Sequence, residues 1–121
     1  MLVDFSPAIR DGRLQAVKNG IDAGSGKGKM YFYTEPKPDI GDAITTQILV
    51  GIVLFSDPCG TVLDQVLTFA IDGDTQAVAE GDIFWCRITD SDDNFCSDLD
   101  CSITNGGGAV QLDALHAYVG G

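Results

Sequence analysis

Apolar residues recur along this chain in short runs broken by turn formers, and the runs change period only once. Near the start Leu14, Val17 and Ile21 are spaced by three and four, behind Ser6 and Pro7. Serine caps a helix and proline suits its first turn, so this spacing predicts one short helix. Gly12 and Gly20 weaken it by about 1 kcal/mol each relative to alanine, and Gly24 can end it.

Everything after residue 29 reads as strand and turn. Met30 to Thr34 is aromatic, and Glu35 to Asp42, with Pro36 and Pro38, is a connection. Ile44 to Phe55 is apolar on both alternating faces from Ile48 onward, which predicts a central strand covered on both sides, with Gly51 as a bulge. Asp57, Pro58 and Gly60 are expected to break it. Val66 to Ile71 is the next strand, and Asp72, Gly73 and Asp74 form a turn. A long strand follows over Val78 to Thr89. The Asp90 to Asn94 stretch reverses it into a partner strand, Phe95 to Ile103, because Asp, Ser and Asn bond to their own backbone. A glycine run, Gly106 to Gly108, precedes a last strand over Val110 to Val119.

The expected fold is therefore mainly β. It is an antiparallel β-sandwich or jelly-roll-like open barrel of about six to eight strands with one short N-terminal helix. At 121 residues it is one domain, 1–121, made of an N-terminal segment (1–29) and a β-body (30–121). Trp85, with its strand neighbours Phe84 and Ile88 and with Phe55, is the expected structural core.

Charge sharpens the picture. Net charge is −11, yet six of the seven basic residues lie in the first 37 positions, leaving that segment at +2 and the remainder at −13. An acidic body of this kind repels phosphate backbones, so nucleic acid is not an expected partner. The longest apolar run, Ile48 to Phe55, is far shorter than the roughly 20 residues of a spanning helix, so no membrane partner is expected either. The start, Met-Leu-Val-Asp-Phe-Ser-Pro, has no basic lead into an apolar stretch, which predicts folding in a cytoplasm. Arg10, Arg13, Lys18, Lys27 and Lys29 are candidates for an interface with an acidic neighbour.

Candidate chemistry is sparse. The Gly24 to Lys29 loop has a phosphate cradle's composition but follows a helix instead of opening one, so a connector explains it better. Asp90, Asp92 and Asn94 have the alternate spacing of a calcium loop's first ligands. The completing glycine and glutamate are replaced by Phe95 and Cys101, which leaves a weak candidate beside the better reading of a solvated turn. Cys59, Cys86, Cys96 and Cys101 form no CxxC pair, and with His116 as the one histidine a zinc site is disfavoured. Cys86 and Cys96 stand on facing arms of the predicted hairpin and are the favoured disulfide pair if one forms, whereas buried thiols are the plainer reading. Cys59, in a Pro-Gly turn, is expected to be exposed. His116 has no nucleophile or carboxylate pattern around it, no cofactor motif is found, and no catalytic residue is assigned.

Four segments, Met-Tyr-Phe-Tyr-Thr-Glu-Pro-Lys-Pro (30–38), Leu-Val-Gly-Ile-Val-Leu-Phe-Ser-Asp-Pro (49–58), Val-Leu-Thr-Phe-Ala-Ile (66–71) and Ile-Phe-Trp-Cys-Arg-Ile-Thr-Asp-Ser-Asp (83–92), taken in this order, resemble a family of small structural proteins of tailed bacteriophages and prophages. The likeness continues through Ile103 to Asp113 and is one of packing residues, Trp85, Arg87, Phe55 and Pro58 among them. It implies a non-enzymatic virion component assembled in the host cytoplasm. A capsid decoration or cement protein is favoured, with a neck, collar or tail accessory subunit or a peripheral sugar-binding module as alternatives. The implied partners are other copies of itself and the major capsid protein or neck and tail proteins. Members of the family are poor in cysteine, so the four thiols are a departure. Nearly all aromatic residues fall inside strands instead of loops, which favours structure over sugar recognition.

Overall fold

The computed structural model describes residues 5–72, 77–103, 105–108, 110–112 and 116–117. Gly73 and Asp74 of the expected turn, Tyr118 and Val119 of the expected last strand, and the side chain of His116 lie outside the described residues. The fold is mainly β, a curled half-barrel with one N-terminal helix. Helix α1 (Pro7–Ile21) is followed by β1 (Lys29–Tyr33), β2 (Leu49–Leu63), β3 (Val66–Ile71), β4 (Gly81–Asp82), β5 (Trp85–Thr89), β6 (Phe95–Ile103), β7 (Val110–Leu112) and β8 (His116–Ala117). The main sheet runs β3-β2-β1-β5-β6-β7. Its first five strands are antiparallel and β7 joins β6 in parallel, while β4 and β8 form a separate two-stranded pair.

The helix forms as its caps dictate. Ser6 Oγ accepts the Ile9 N–H and Pro7 occupies the first turn, but the helix ends at Ile21, before Gly24. Only Ile21 is buried, so α1 is anchored at its C-terminal end. There Gly28 passes so close that an added Cβ would stand 2.3 Å from the Ile21 side chain. The inner face of the sheet alternates as a half-buried strand should. Met30 and Phe32 of β1 lie opposite Ile88 and Cys86 of β5, and with Phe55, Cys59 and Ile21 they form the core.

Several expected elements differ. The central strands are β1 and β5, and β2 lies one strand from the margin. Its side chains alternate between buried Phe55 and exposed Leu54, so it is not covered on both sides. Residues 44–48 are not strand. Near Gly51 the register slips, leaving Val50 unpaired with β1, and the Val50 carbonyl accepts from the Val78 and Ala79 amides instead. Asp57, Pro58 and Gly60 do not end β2. The strand carries them in an irregularity between Phe55 and Gly60 and then pairs with β3. Gly60 permits this, since a Cβ there would lie 2.2 Å from the Thr68 carbonyl oxygen. At 15 residues, about 50 Å of extended chain, β2 outruns β1, and its far half pairs with β3 as a two-stranded arm that α1 packs against.

The long strand expected over 78–89 is split into β4 and β5, and the last strand into β7 and β8. Phe84 is not a core anchor, for it is 48% exposed. It precedes β5, at the end of the sheet opposite the Gly28–Thr89 end where Ile21 packs. Trp85 is fully buried, yet on the outer face. Its ring stacks on Tyr33 at 4.9 Å, and its indole N–H donates to the Thr34 carbonyl at 3.0 Å.

Trp85→Ala should therefore cost about 3 to 5 kcal/mol in denaturant unfolding, and Phe84→Ala about 0.5 kcal/mol or less. Because Trp85 is the one tryptophan of the chain, its native fluorescence should also resist quenching by iodide. A Phe84 cost equal to that of Trp85 would refute this placement.

Candidate functional site

Three surfaces carry the residues that the sequence singled out. The first is the outer face, where Arg87 and Asp98 are direct cross-strand neighbours. Arg87 Nε and Nη2 donate to the two Asp98 carboxylate oxygens at 2.7 and 3.0 Å. Such a two-point fork is stronger than a single contact, and it is needed here because the Asp98 side chain has no exposed surface. Asp98 also accepts the Gly41 N–H at 3.0 Å, and Arg87 Nη2 donates to the Asp42 carbonyl at 2.7 Å. Both ends of the pair thus hold the 34–48 connection down over the sheet. The Arg87 guanidinium lies 5.3 Å from the Trp85 ring and 5.4 Å from Phe95, close enough for cation–π attraction. The Asp98 hydrogen bond raises the Arg87 pKa above its usual value. This is a clamp whose polar groups are satisfied, with no reactive group presented to solvent.

The second is the β5–β6 turn. Asp90 Oδ1 accepts the amides of Asp92 and Asn94, each at 2.9 Å, and Oδ2 accepts the Asn94 side-chain amide at 3.0 Å. This geometry gives Asp90 and Asn94 a turn-forming use and so favours the solvated turn over the calcium reading of Asp90, Asp92 and Asn94. Both Asp90 oxygens accept N–H donors of the turn, one of them from the Asn94 side chain. Among the described residues no cluster of His, Cys, Asp and Glu could hold a metal. The Asn94 side chain is the largest cause of the Asp90 carboxyl sitting below its ordinary pKa, helped by the two backbone amides. Asp93 is lowered as well, first by the Tyr31 hydroxyl and then by Lys29.

The Gly24 to Lys29 connection packs against this turn, with the Gly26 N–H donating to Ser91 Oγ at 2.9 Å. Its glycines serve close approach between segments, which agrees with the connector reading.

The third is the N-terminal segment. Of its five candidate interface residues, three are paired within the chain: Lys18 with Asp22 at 3.2 Å, Lys27 with Asp72, and Lys29 with Asp93 at 3.2 Å. Folding brings Lys27 and Lys29 back onto the acidic body, while Lys18 pairs within the N-terminal segment, so each already has an acidic partner that docking would have to replace. Arg10 donates to Gln65 Oε1 at 2.8 Å, and Arg13 stands 4.8 Å from the Phe5 ring. Both arginines are exposed and line an open groove of about 350 Å³ with Leu14, Val17 and Gln65. The groove lies where α1 meets the turn of the β2–β3 arm. Asp11 Oδ1 accepts the Gln65 N–H there, and at the other end of the helix Asp22 Oδ1 accepts the Cys59 N–H at 2.9 Å.

The thiols depart from expectation. All four cysteines are free. The register sets Cys86 opposite Leu99, and Cys96 sits at the slip between Thr89 and Ile88, beside Gly20 of the helix. A bulged turn has moved Cys96 out of reach, so the Cys86–Cys96 pairing fails. The thiol beside Cys86 is Cys101, and its proximity, with burial, raises the Cys86 pKa. Cys59 is fully buried, because β2 runs through the expected turn, and burial lifts its pKa to about 11.

What sequence reading missed is the arm. Leu63, Val66, Phe69 and Ile71 are 71%, 57%, 38% and 47% exposed. The alternation-free run of residues 66–71 was the available signal.

Nothing matches the chain in comparisons with protein families, curated proteins and solved structures.

Because Asp90 and Asp93 have lowered pKa values, the stability they add is full above the ordinary carboxylate value of 3.8 and is lost as pH falls through their folded values. Urea midpoints between about pH 6 and about pH 2 should fall steeply for the native chain and less steeply for Asp90→Asn, which lacks one titrating group. Parallel acid profiles for the two proteins would show that the turn does not depend on the ionised Asp90.

Proposed function

We propose that this chain is a non-enzymatic structural subunit of a tailed-bacteriophage particle, a capsid decoration or cement protein carried in many copies. The observation that carries the reading is the β2–β3 arm, a two-stranded ribbon that leaves Leu63, Val66, Phe69 and Ile71 exposed on an otherwise strongly acidic protein. Apolar side chains exposed together on one element are a feature of surfaces that bind a partner, and subunits that assemble need such a surface. The resemblance of the strand segments to phage structural proteins supplies the setting.

The outer face argues against a sugar-binding module. Tyr33 and Trp85 stack on each other beneath the 34–48 connection, so Trp85 offers a ligand no ring face. The buried polar groups of this face are spent on holding that connection, which is a structural use.

Arg10 and Arg13 are the cations of this segment that can contribute to attachment. Individual exposed pairs are worth about 0 to 1 kcal/mol, so their effect depends on repetition over many copies. The test is quantitative mass spectrometry of purified particles washed across a salt series. The chain should be present in many copies per particle, and its retention should fall as salt rises. A variant with Arg10→Gln and Arg13→Gln should lose that salt-sensitive part, whereas Lys18→Gln should retain it. Absence of the chain from purified particles would refute the proposed function, and equal salt-independent retention of all three proteins would remove charge from the account of attachment.

A further inference from the structure

The margin of the sheet at β3 is unguarded. Strands at sheet edges are normally protected by a charge, a proline or a bulge, because their outer row of N–H and C=O groups can template another strand. The stretch Val66-Leu67-Thr68-Phe69-Ala70-Ile71 contains no charged residue and no proline. Its irregular pairing with β2 falls on the β2 side, between Phe55 and Gly60. Among the described residues no strand pairs with its outer side. Nearly every residue along it is exposed on one face or the other.

We infer that β3 is the docking strand for a second copy of this chain, which adds its own β3 antiparallel across a two-fold axis and so continues the sheet from one subunit into the next. This deepens the proposed assembly role and rests on it for the reason that copies should meet. The argument for a second copy, as opposed to a strand of another protein, is self-complementarity. Two-fold pairing centred on Phe69 sets Leu67 opposite Ile71 of the second copy and Phe69 opposite Phe69 of the second copy. These side chains share the face on which Phe69 lies 5.0 Å from Phe55, so one apolar row would run unbroken across the junction. On the other face Thr68 meets Ala70 of the second copy. The ends carry opposite charges as well. The Gln65 turn, where Arg10 is held, would come beside the end of the second copy's strand, where the exposed Lys27–Asp72 ion pair would have to admit Arg10 as a further partner. A two-fold contact makes each of these matches twice, as isologous interfaces do.

Sedimentation of the purified full-length chain over roughly 1 to 100 µM reads the pairing directly. A reversible monomer–dimer equilibrium is expected. Phe69→Lys and Phe69→Glu each place two like charges on the axis and should each weaken the dimer by about 100-fold or more, while an equimolar mixture of the two should recover a mixed dimer. Ile71→Lys, at a more exposed position, should also give a monomer and serves where the Phe69 variants fail to fold. The fold of each variant is checked by its Trp85 fluorescence.

A native chain that stays monomeric throughout this range overturns the inference. So does a dimer unaffected by any of these substitutions. The outcome stays separate from the test of the virion role: a monomeric chain found in particles, with its edge covered by a different virion protein, would refute self-pairing and leave the structural role standing. A dimer absent from particles would do the reverse.

Discussion

A curled sheet that stops short of closing sets the terms for the rest of this molecule. Closure would pair every strand with two neighbours and remove both margins. Among the described residues the sheet ends at β3 on one side and β7 on the other, so its two faces and its edges must be covered by other means. Helix α1 serves the inner face, but only Ile21 is buried there. The helix is therefore held as much by polar contacts as by packing: Asp22 takes the Cys59 amide near one end, and Asp11 with Arg10 holds Gln65 near the other. These are the contacts that orient the β2–β3 arm.

On the outer face a loop stands where a closed barrel or a sandwich would place more sheet. The 34–48 connection carries two prolines that the strand ladder could not accommodate, and it has no regular pairing of its own. Its fixed position comes from Trp85, Arg87 and Asp98. A buried ion pair is weak evidence for stability, because desolvation offsets most of the attraction, but leaving one partner alone costs about 3 to 5 kcal/mol. The geometry suits a positioning role: the fork fixes β5 against β6, and each group makes one further hydrogen bond to the backbone of residues 41 and 42. The Asp90 turn does the same locally, satisfying one carboxylate with three N–H donors so that the hairpin reverses in a defined way.

Much of this was legible because it is local. Ser6 and Pro7 marked the helix, Asp90 to Asn94 marked the turn, and Val66 to Ile71 marked β3, since capping and turn chemistry act over three or four residues. Tertiary effects decided the rest. Pro58 and Gly60 have the composition of a break, yet β2 passes through them because β3 pairs with its far half and Gly60 leaves room for the Thr68 carbonyl. Phe84 and Trp85 are adjacent aromatics with nothing in the sequence to rank them, and their different burial follows from where the helix and the 34–48 connection lie. Likewise Lys18, Lys27 and Lys29 looked free only because their acidic partners, two of them far away in sequence, could not be seen until the chain was folded.

The central claim is that the open edge at β3 is left for assembly, and amide hydrogen exchange across residues 66–71 tests it most directly. In dilute solution the amides of β3 that point away from β2 should exchange quickly, since among the described residues no strand covers them, whereas in the assembled state the same amides should be slowed while those of the Asp90 turn remain unchanged. If the outward amides of β3 exchange equally fast in the dilute and the assembled protein, the edge is not where subunits meet, and the account of this molecule as an unfinished sheet completed by its neighbour is wrong.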